Sequence, residues 1–177
     1  MEITQVYYNS ADNSSVRVEP QGWSVPQPCN TYHQQIIQEW LSDGNQIEPY
    51  DEWYGLSLDD MKFRKRIEMK AERNALLNGV TNITTSQGTY PVDVNQTNRS
   101  NMHQAYDNAV LAGIDLTSQT VWKMGDNNHY QIQYAELAEI GLQLGIYISD
   151  LYQNEAVKNA QIDACTDREC IEAVIWG

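Results

Sequence analysis

Apolar and polar residues alternate imperfectly at the start of the chain. Ile3, Val6 and Tyr8 make one short run, and Val16 and Val18, separated by Arg17, make another. Between them Asn9-Ser10-Ala11-Asp12-Asn13-Ser14-Ser15 is rich in turn formers, so residues 1–23 predict a hairpin. The spacing then changes from two to nearly four. Pro26 and Pro28 hold the chain extended, Asn30 or Thr31 can cap a helix, and Tyr32, Ile36, Ile37, Trp40 and Leu41 repeat at helical spacing. Gly44-Asn45 supplies a left-handed stop, and Pro49 blocks resumption. One hairpin and one helix are marginal alone and must lean on something else. Residues 46–57 form a connector containing Tyr50, Trp53 and Tyr54, with Trp53-Tyr54 placed to pack across two units and a boundary near Gly55.

Helical spacing dominates the remainder. Ser57 and Asp60 have capping-box spacing with the shorter acid, and they open a long helix in which Phe63, Ile67, Ala71 and Ala75 lie four apart. That stripe predicts the buried face, with basic residues on its flanks and Asn78-Gly79 as the stop. Val80–Thr84 and Thr89–Val94 predict two strands across a Ser86-Gln87-Gly88 turn. Thr97 or Asn98 can cap a second helix that buries Met102, Ala105, Tyr106, Ala109 and Val110 and stops at Gly113. Thr120–Met124 and His129–Gln133 predict another hairpin around Gly125-Asp126-Asn127-Asn128. The longest helix begins at Tyr134 or Ala135. Its stripe of Leu137, Ile140, Leu144, Ile148 and Leu151 is broadened by Leu142, Ile146 and Tyr147, which predicts a helix buried between layers or shared with a partner. Ala138, Gly141 and Gly145 are small enough to admit another backbone. Residues 161–177 add a short helix ending in Val174, Ile175 and Trp176. Together the elements predict an α+β chain: a small hairpin-plus-helix module over 1–55, then a domain of three long helices with two β-hairpins over 56–177.

Composition adds a second theme. The chain has 11 Tyr and 5 Trp against a single Phe. Rings with a polar tip suit surfaces packed on one side and wet on the other, as well as a polar-tipped core. The net charge of −13 argues against binding nucleic-acid phosphates. Six of the 11 basic residues, Lys62, Arg64, Lys65, Arg66, Lys70 and Arg73, fall on one helix. Such a cluster implies an internal match, a solvated face, or docking against an acidic neighbour or a second copy. No basic region precedes an apolar run, so no signal peptide is expected, and no stretch reaches the length of a membrane span. Cys29, Cys165 and Cys170 are odd in number and lack metal spacing, which makes reduced thiols the default. The four Asn-x-Ser/Thr sites, at Asn13, Asn82, Asn95 and Asn98, are taken as turn chemistry.

Chemistry-bearing motifs are sparse. His33, His103 and His129 lie in three different predicted elements, without the i,i+4 pairing of a zinc site. Cys29 and His33 are at helical spacing, but Cys29 precedes the helix and no oxyanion site accompanies it. There is no nucleophile elbow, phosphate loop or dinucleotide fingerprint. The acids Asp59-Asp60, Asp43 and Glu48 sit on caps and connectors, where helix dipoles favour them. The Asp12-Asn13 loop lacks the spaced ligands of a calcium loop. Catalytic residues, metal ligands and cofactors are therefore expected to be absent, and the chain is not expected to be an enzyme.

Two motifs carry a resemblance. Val25-Pro26, Asn30, Tyr32, Trp40, Gly44-Asn45 and Pro49 resemble an N-terminal module of small proteins encoded in bacteriophage tail gene clusters, with Gln27-Pro28 where that family usually has an acid. Trp122-Lys123, Asp126-Asn127 and Glu136-Leu137 resemble a C-terminal domain of unknown function found in phage and prophage proteins near tail fibre genes. The upstream Gly79, Gly88-Thr89-Tyr90 and Asp93 agree with it. The resemblances imply a structural tail protein of the baseplate or fibre-attachment region, made in the host cytoplasm and carried in the virion. It would dock other tail proteins, with a homo-oligomer as a further option. The docking candidates are Tyr32, Trp40, Tyr50, Trp53, Tyr54, Lys62, Arg64, Lys65, Arg66 and Arg73. A fibre assembly chaperone absent from the virion and a receptor- or glycan-binding module are the alternatives.

Overall fold

Valines at alternate positions build the first sheet. The computed structural model describes residues 3–27 and 32–177, and the chain divides into two units, 1–56 and 57–177. In the first unit β1 (Gln5–Tyr8), β2 (Ser15–Glu19) and β3 (Trp23–Pro26) form an antiparallel sheet in that order. The register sets Val6 opposite Val18, and Val16 opposite Val25, so one face is apolar. Helix α1 (Tyr32–Ser42) closes that face with Ile37, and Trp40, Leu41 and Ile47 pack around the five buried residues. The pattern predicted a two-stranded hairpin; β3 is a third strand. Its four residues are too short for alternation to show, and Pro26 sits at the strand end, where a missing donor is tolerated. The proposed caps Asn30 and Thr31, together with Pro28 and Cys29, lie outside the described residues. Gly44 has φ +88°, the left-handed stop that the Gly-Asn pair implied.

The connector is tied to the sheet. Glu48 exchanges two backbone hydrogen bonds with β1, accepting from the Tyr8 N–H at 3.0 Å and donating to the Val6 carbonyl at 2.9 Å. The Tyr54 ring stacks on Tyr7 with centroids 4.2 Å apart, and its hydroxyl donates to Gln5.

The second unit is α+β, with helices α2 (Leu58–Leu77), α3 (Gln96–Leu111), α4 (Tyr134–Ala164) and α5 (Arg168–Ala173). Two hairpins separate the long helices: β4 (Val80–Thr84) with β5 (Thr89–Asp93), and β6 (Gln119–Lys123) with β7 (His129–Gln133). Ile83, Val92, Met124 and Ile132 from the hairpins meet Met102 of α3 and Leu137, Ile140 and Leu144 of α4 in one core. Ser57 caps α2 by accepting from the Asp60 N–H at 3.1 Å. Helix α3 begins earlier than predicted: its cap is Asn95, which accepts from the Asn98 N–H at 2.8 Å.

Two polar anchors fix the hairpins. Glu136 is buried in the first turn of α4, where its carboxylate accepts from the Thr85 hydroxyl at 2.6 Å. Burial, then a hydrogen bond to Glu136, pushes the Tyr90 hydroxyl above its ordinary pKa. In the β6–β7 turn Asn127 has φ +66°, and Asp126 accepts from the Asn128 N–H at 3.0 Å and from the Tyr130 hydroxyl at 2.7 Å. Gly125 is held against the first hairpin, its N–H donating to the Pro91 carbonyl at 2.8 Å.

Candidate docking surfaces

Four of the six basic residues of α2 face inward, and Arg64 and Lys70 are exposed. Lys62, Lys65, Arg66, Met69, Arg73 and Leu76 recur at helical spacing on the side of α2 that packs on α4. Lys65 is 6% exposed, and its Nζ donates to Glu68 at 2.9 Å. Lys62 donates to the Asp163 carbonyl at 2.9 Å, in the last turn of α4, where a cation also suits the helix dipole. Arg66 pairs with the Asp163 carboxylate. Arg73 pairs with Glu155, both side chains nearly buried, and lies 4.7 Å from the centre of the Tyr152 ring. Four of the predicted docking residues thus make the internal match, while Arg64 is exposed on the outer side.

The predicted buried stripe is correspondingly displaced. Phe63 is 61% and Ile67 52% exposed, and Ala71 and Ala75 are exposed as well. On α4 the stripe from Leu137 to Leu151 does face the core, but Leu142 is 63% and Ile146 55% exposed. These two begin a series, Leu142, Ile146, Ser149, Gln153, Ala156 and Ala160, whose 4-3-4-3-4 spacing keeps it on one face. Every member is exposed and none is charged. At the end of α3, Val110 was expected inside and is exposed, next to a still more exposed Leu111. Gly141 and Gly145 admit side chains of α3 rather than its backbone: a Cβ on Gly141 would lie 3.4 Å from His103 Nε2, and one on Gly145 2.9 Å from Arg99 Nη2.

The aromatic candidates of the first unit are mixed. Tyr32 is largely exposed and Tyr50 and Tyr54 partly so, whereas Trp40 packs on the sheet core and Trp53 is buried.

The long helices, both hairpins and this uncharged face fall within one stretch of sequence, and the family described as Domain of unknown function (DUF4376) matches residues 60–175. The chain belongs to this family. No curated protein and no solved structure matches it.

The DUF4376 region runs from the first turn of α2 to just beyond α5. It contains the disulfide Cys165–Cys170, with Cα atoms 5.5 Å apart, which corrects the expectation of reduced thiols at these two positions. The sequence spacing of five residues does not reveal the pairing; the chain reversal between α4 and α5 produces it. His103 in this region lies against Gly141, and in the first unit the His33 ring packs 4.3 Å from that of Trp23. The Cys29 considered with His33 lies outside the described residues. Among the described residues no cluster of His, Cys, Asp or Glu could hold a metal ion, and no helix is long and apolar enough to cross a membrane.

Proposed function

We propose that this DUF4376 protein is a non-enzymatic structural component of a bacteriophage tail, placed at the baseplate or fibre-attachment region, acting by docking on neighbouring tail proteins. The tail setting rests on the two sequence resemblances, Val25-Pro26 to Pro49 and Trp122-Lys123 to Glu136-Leu137. The docking mode rests on one observation, the uncharged outer face of α4 from Leu142 to Ala160. At ~1.5 Å per residue that face is about 27 Å long. A charge-free strip of this length is conspicuous in a chain of net charge −13. Exposed apolar side chains with a polar surround mark protein contacts. Of the basic residues that could have softened the acidic surface of α2, Lys62, Arg66 and Arg73 reach partners on α4, and Lys65 is buried against Glu68. The matching partner therefore presents an apolar strip flanked by basic residues.

Quantitative mass spectrometry of gradient-purified particles tests the setting. A fixed copy number per particle supports a tail component. Abundance in the infected lysate with absence from particles would transfer the reading to an assembly chaperone. The double variant Leu142→Ser, Ile146→Ser tests the surface: it should fold as the parent does yet be missing from particles.

A further inference from the structure

Arg17, Arg66, Arg73 and Arg168 each hold a carboxylate. Arg99 holds none among the described residues, although its side chain is half-buried and its Nε is fully enclosed without a hydrogen-bond partner. In a chain with 24 acidic residues this is not a shortage of anions. A guanidinium keeps its charge under all ordinary conditions, and enclosing one of its N–H groups without a partner is costly.

The surroundings of Arg99 form a cavity of about 330 Å³ where the end of α2, the start of α3 and the middle of α4 converge. Leu77, Val94 and Ile148, all at least partly buried, give it an apolar floor, with the half-exposed Tyr152 ring beside them. The exposed Asn78, Asn95 and Gln96 also line it, and among the described residues no acidic side chain does. The first turn of the 16-residue α3 opens there, adding positive potential to the guanidinium. Gly145 makes the arrangement possible, because a Cβ there would lie 2.9 Å from Nη2 and 3.1 Å from Cζ of Arg99. An apolar floor with a few polar groups at one end is the usual constitution of a small-ligand site, and this volume is at the small end of that range.

We infer that this cavity binds a small organic carboxylate, its apolar body on the Leu77–Ile148 floor and its carboxylate on Arg99. A carboxylate matches the planar fork of a guanidinium. Inorganic phosphate would leave the floor unfilled, and a neutral molecule would leave the guanidinium unpaired. The depression of about 470 Å³ that shares Gln96 and Arg99 with this cavity is the poorer location, because Asp107 lines it. The inference does not depend on the tail reading.

The test is titration of the full-length, ¹⁵N-labelled protein with sodium hexanoate, hexan-1-ol and inorganic phosphate, following the amides of Asn78, Asn95, Gln96 and Arg99. Hexanoate should shift them saturably with millimolar affinity, and the other two probes should act much more weakly. Arg99→Gln should weaken hexanoate by about tenfold or more, the loss of a charge-assisted contact. Gln96→Glu provides a variant whose fold is safe, since an acid in the first turn of a helix is favourable. It supplies Arg99 with an internal carboxylate and should abolish binding while leaving the melting temperature unchanged or higher. No saturable shift with hexanoate would overturn the inference. So would an equal response to phosphate or hexanol, or parental affinity in both variants.

Discussion

Gly125 shows how a residue can be placed correctly by sequence for an incomplete reason. Its position beside Asp126-Asn127 marks a turn, and the turn is there. The constraint on it comes from elsewhere. A Cβ at Gly125 would lie 2.8 and 2.9 Å from the two methyls of Val80 and 3.0 Å from the Asp93 nitrogen, in a hairpin distant in sequence. The neighbour includes backbone, so it cannot yield cheaply. Gly125→Ala should destabilise the second unit by about 1–3 kcal/mol, as overpacking does. Adding Val80→Ala should recover only part of this, because the Asp93 contact persists; full additivity in urea melts would contradict the steric account. Asp126 gives a pH prediction at the same turn. The Asn128 N–H, then the Tyr130 hydroxyl, hold its carboxyl below the ordinary 3.8. A lowered folded-state pKa means stability that is present above 3.8 and lost as pH falls through the folded value. Asp126→Asn should therefore flatten the acid side of the stability profile there, and an unchanged acid slope would remove Asp126 from the account.

At the scale of elements, the hairpins and helix stops were legible and the orientation of α2 was not. Hairpins announce themselves through local chemistry: Asn127 at positive φ, Asp126 closing its own turn, Gly44 and Gly113 in left-handed conformations. The third strand and the Asn95 cap were missed because Pro26 and the polar run Asn95–Ser100 offer several equivalent local solutions. Helix α2 defeats the apolar-stripe rule for a different reason. Its inward side is made of long basic side chains whose aliphatic stems pack while their heads find Glu68, Glu155 and Asp163. The partners of Arg66 and Arg73 are about ninety residues away, so nothing near α2 reveals them. Two substitutions measure the inversion. Arg73→Ala should cost about 2–4 kcal/mol, because it leaves the nearly buried Glu155 unpaired. Phe63→Ser, on the side the pattern assigned to the core, should change stability by less than about 0.5 kcal/mol. The opposite ranking in chemical denaturation would restore the apolar stripe as the packed face. Arg99 was equally invisible beforehand, since the lack of a partner is a property of the folded unit.

For the whole molecule, the decisive fact is that each unit has its own core. Val6, Val16, Val18, Val25 and Ile37 close the first, while the second gathers both hairpins against α3 and α4. The DUF4376 match follows the same division, beginning at residue 60, just inside the second unit, and ending at 175. Charge separates the units too: residues 1–56 hold one basic residue, Arg17, against eight acidic ones, whereas ten of the 11 basic residues belong to 57–177. The ion pairs of Lys65, Arg66, Arg73 and Arg168 are all made within that second unit, so none is lost if it is expressed alone. A fragment of residues 57–177 should consequently unfold in a single cooperative urea transition. Residues 1–56 alone should be marginal, because a chain of this size buries only about 60% of its unfolded surface. Circular dichroism and urea titration of the two fragments decide this. A fragment 57–177 that lacks a cooperative transition would mean that its core needs the first unit, and the family boundary would then not be a folding boundary.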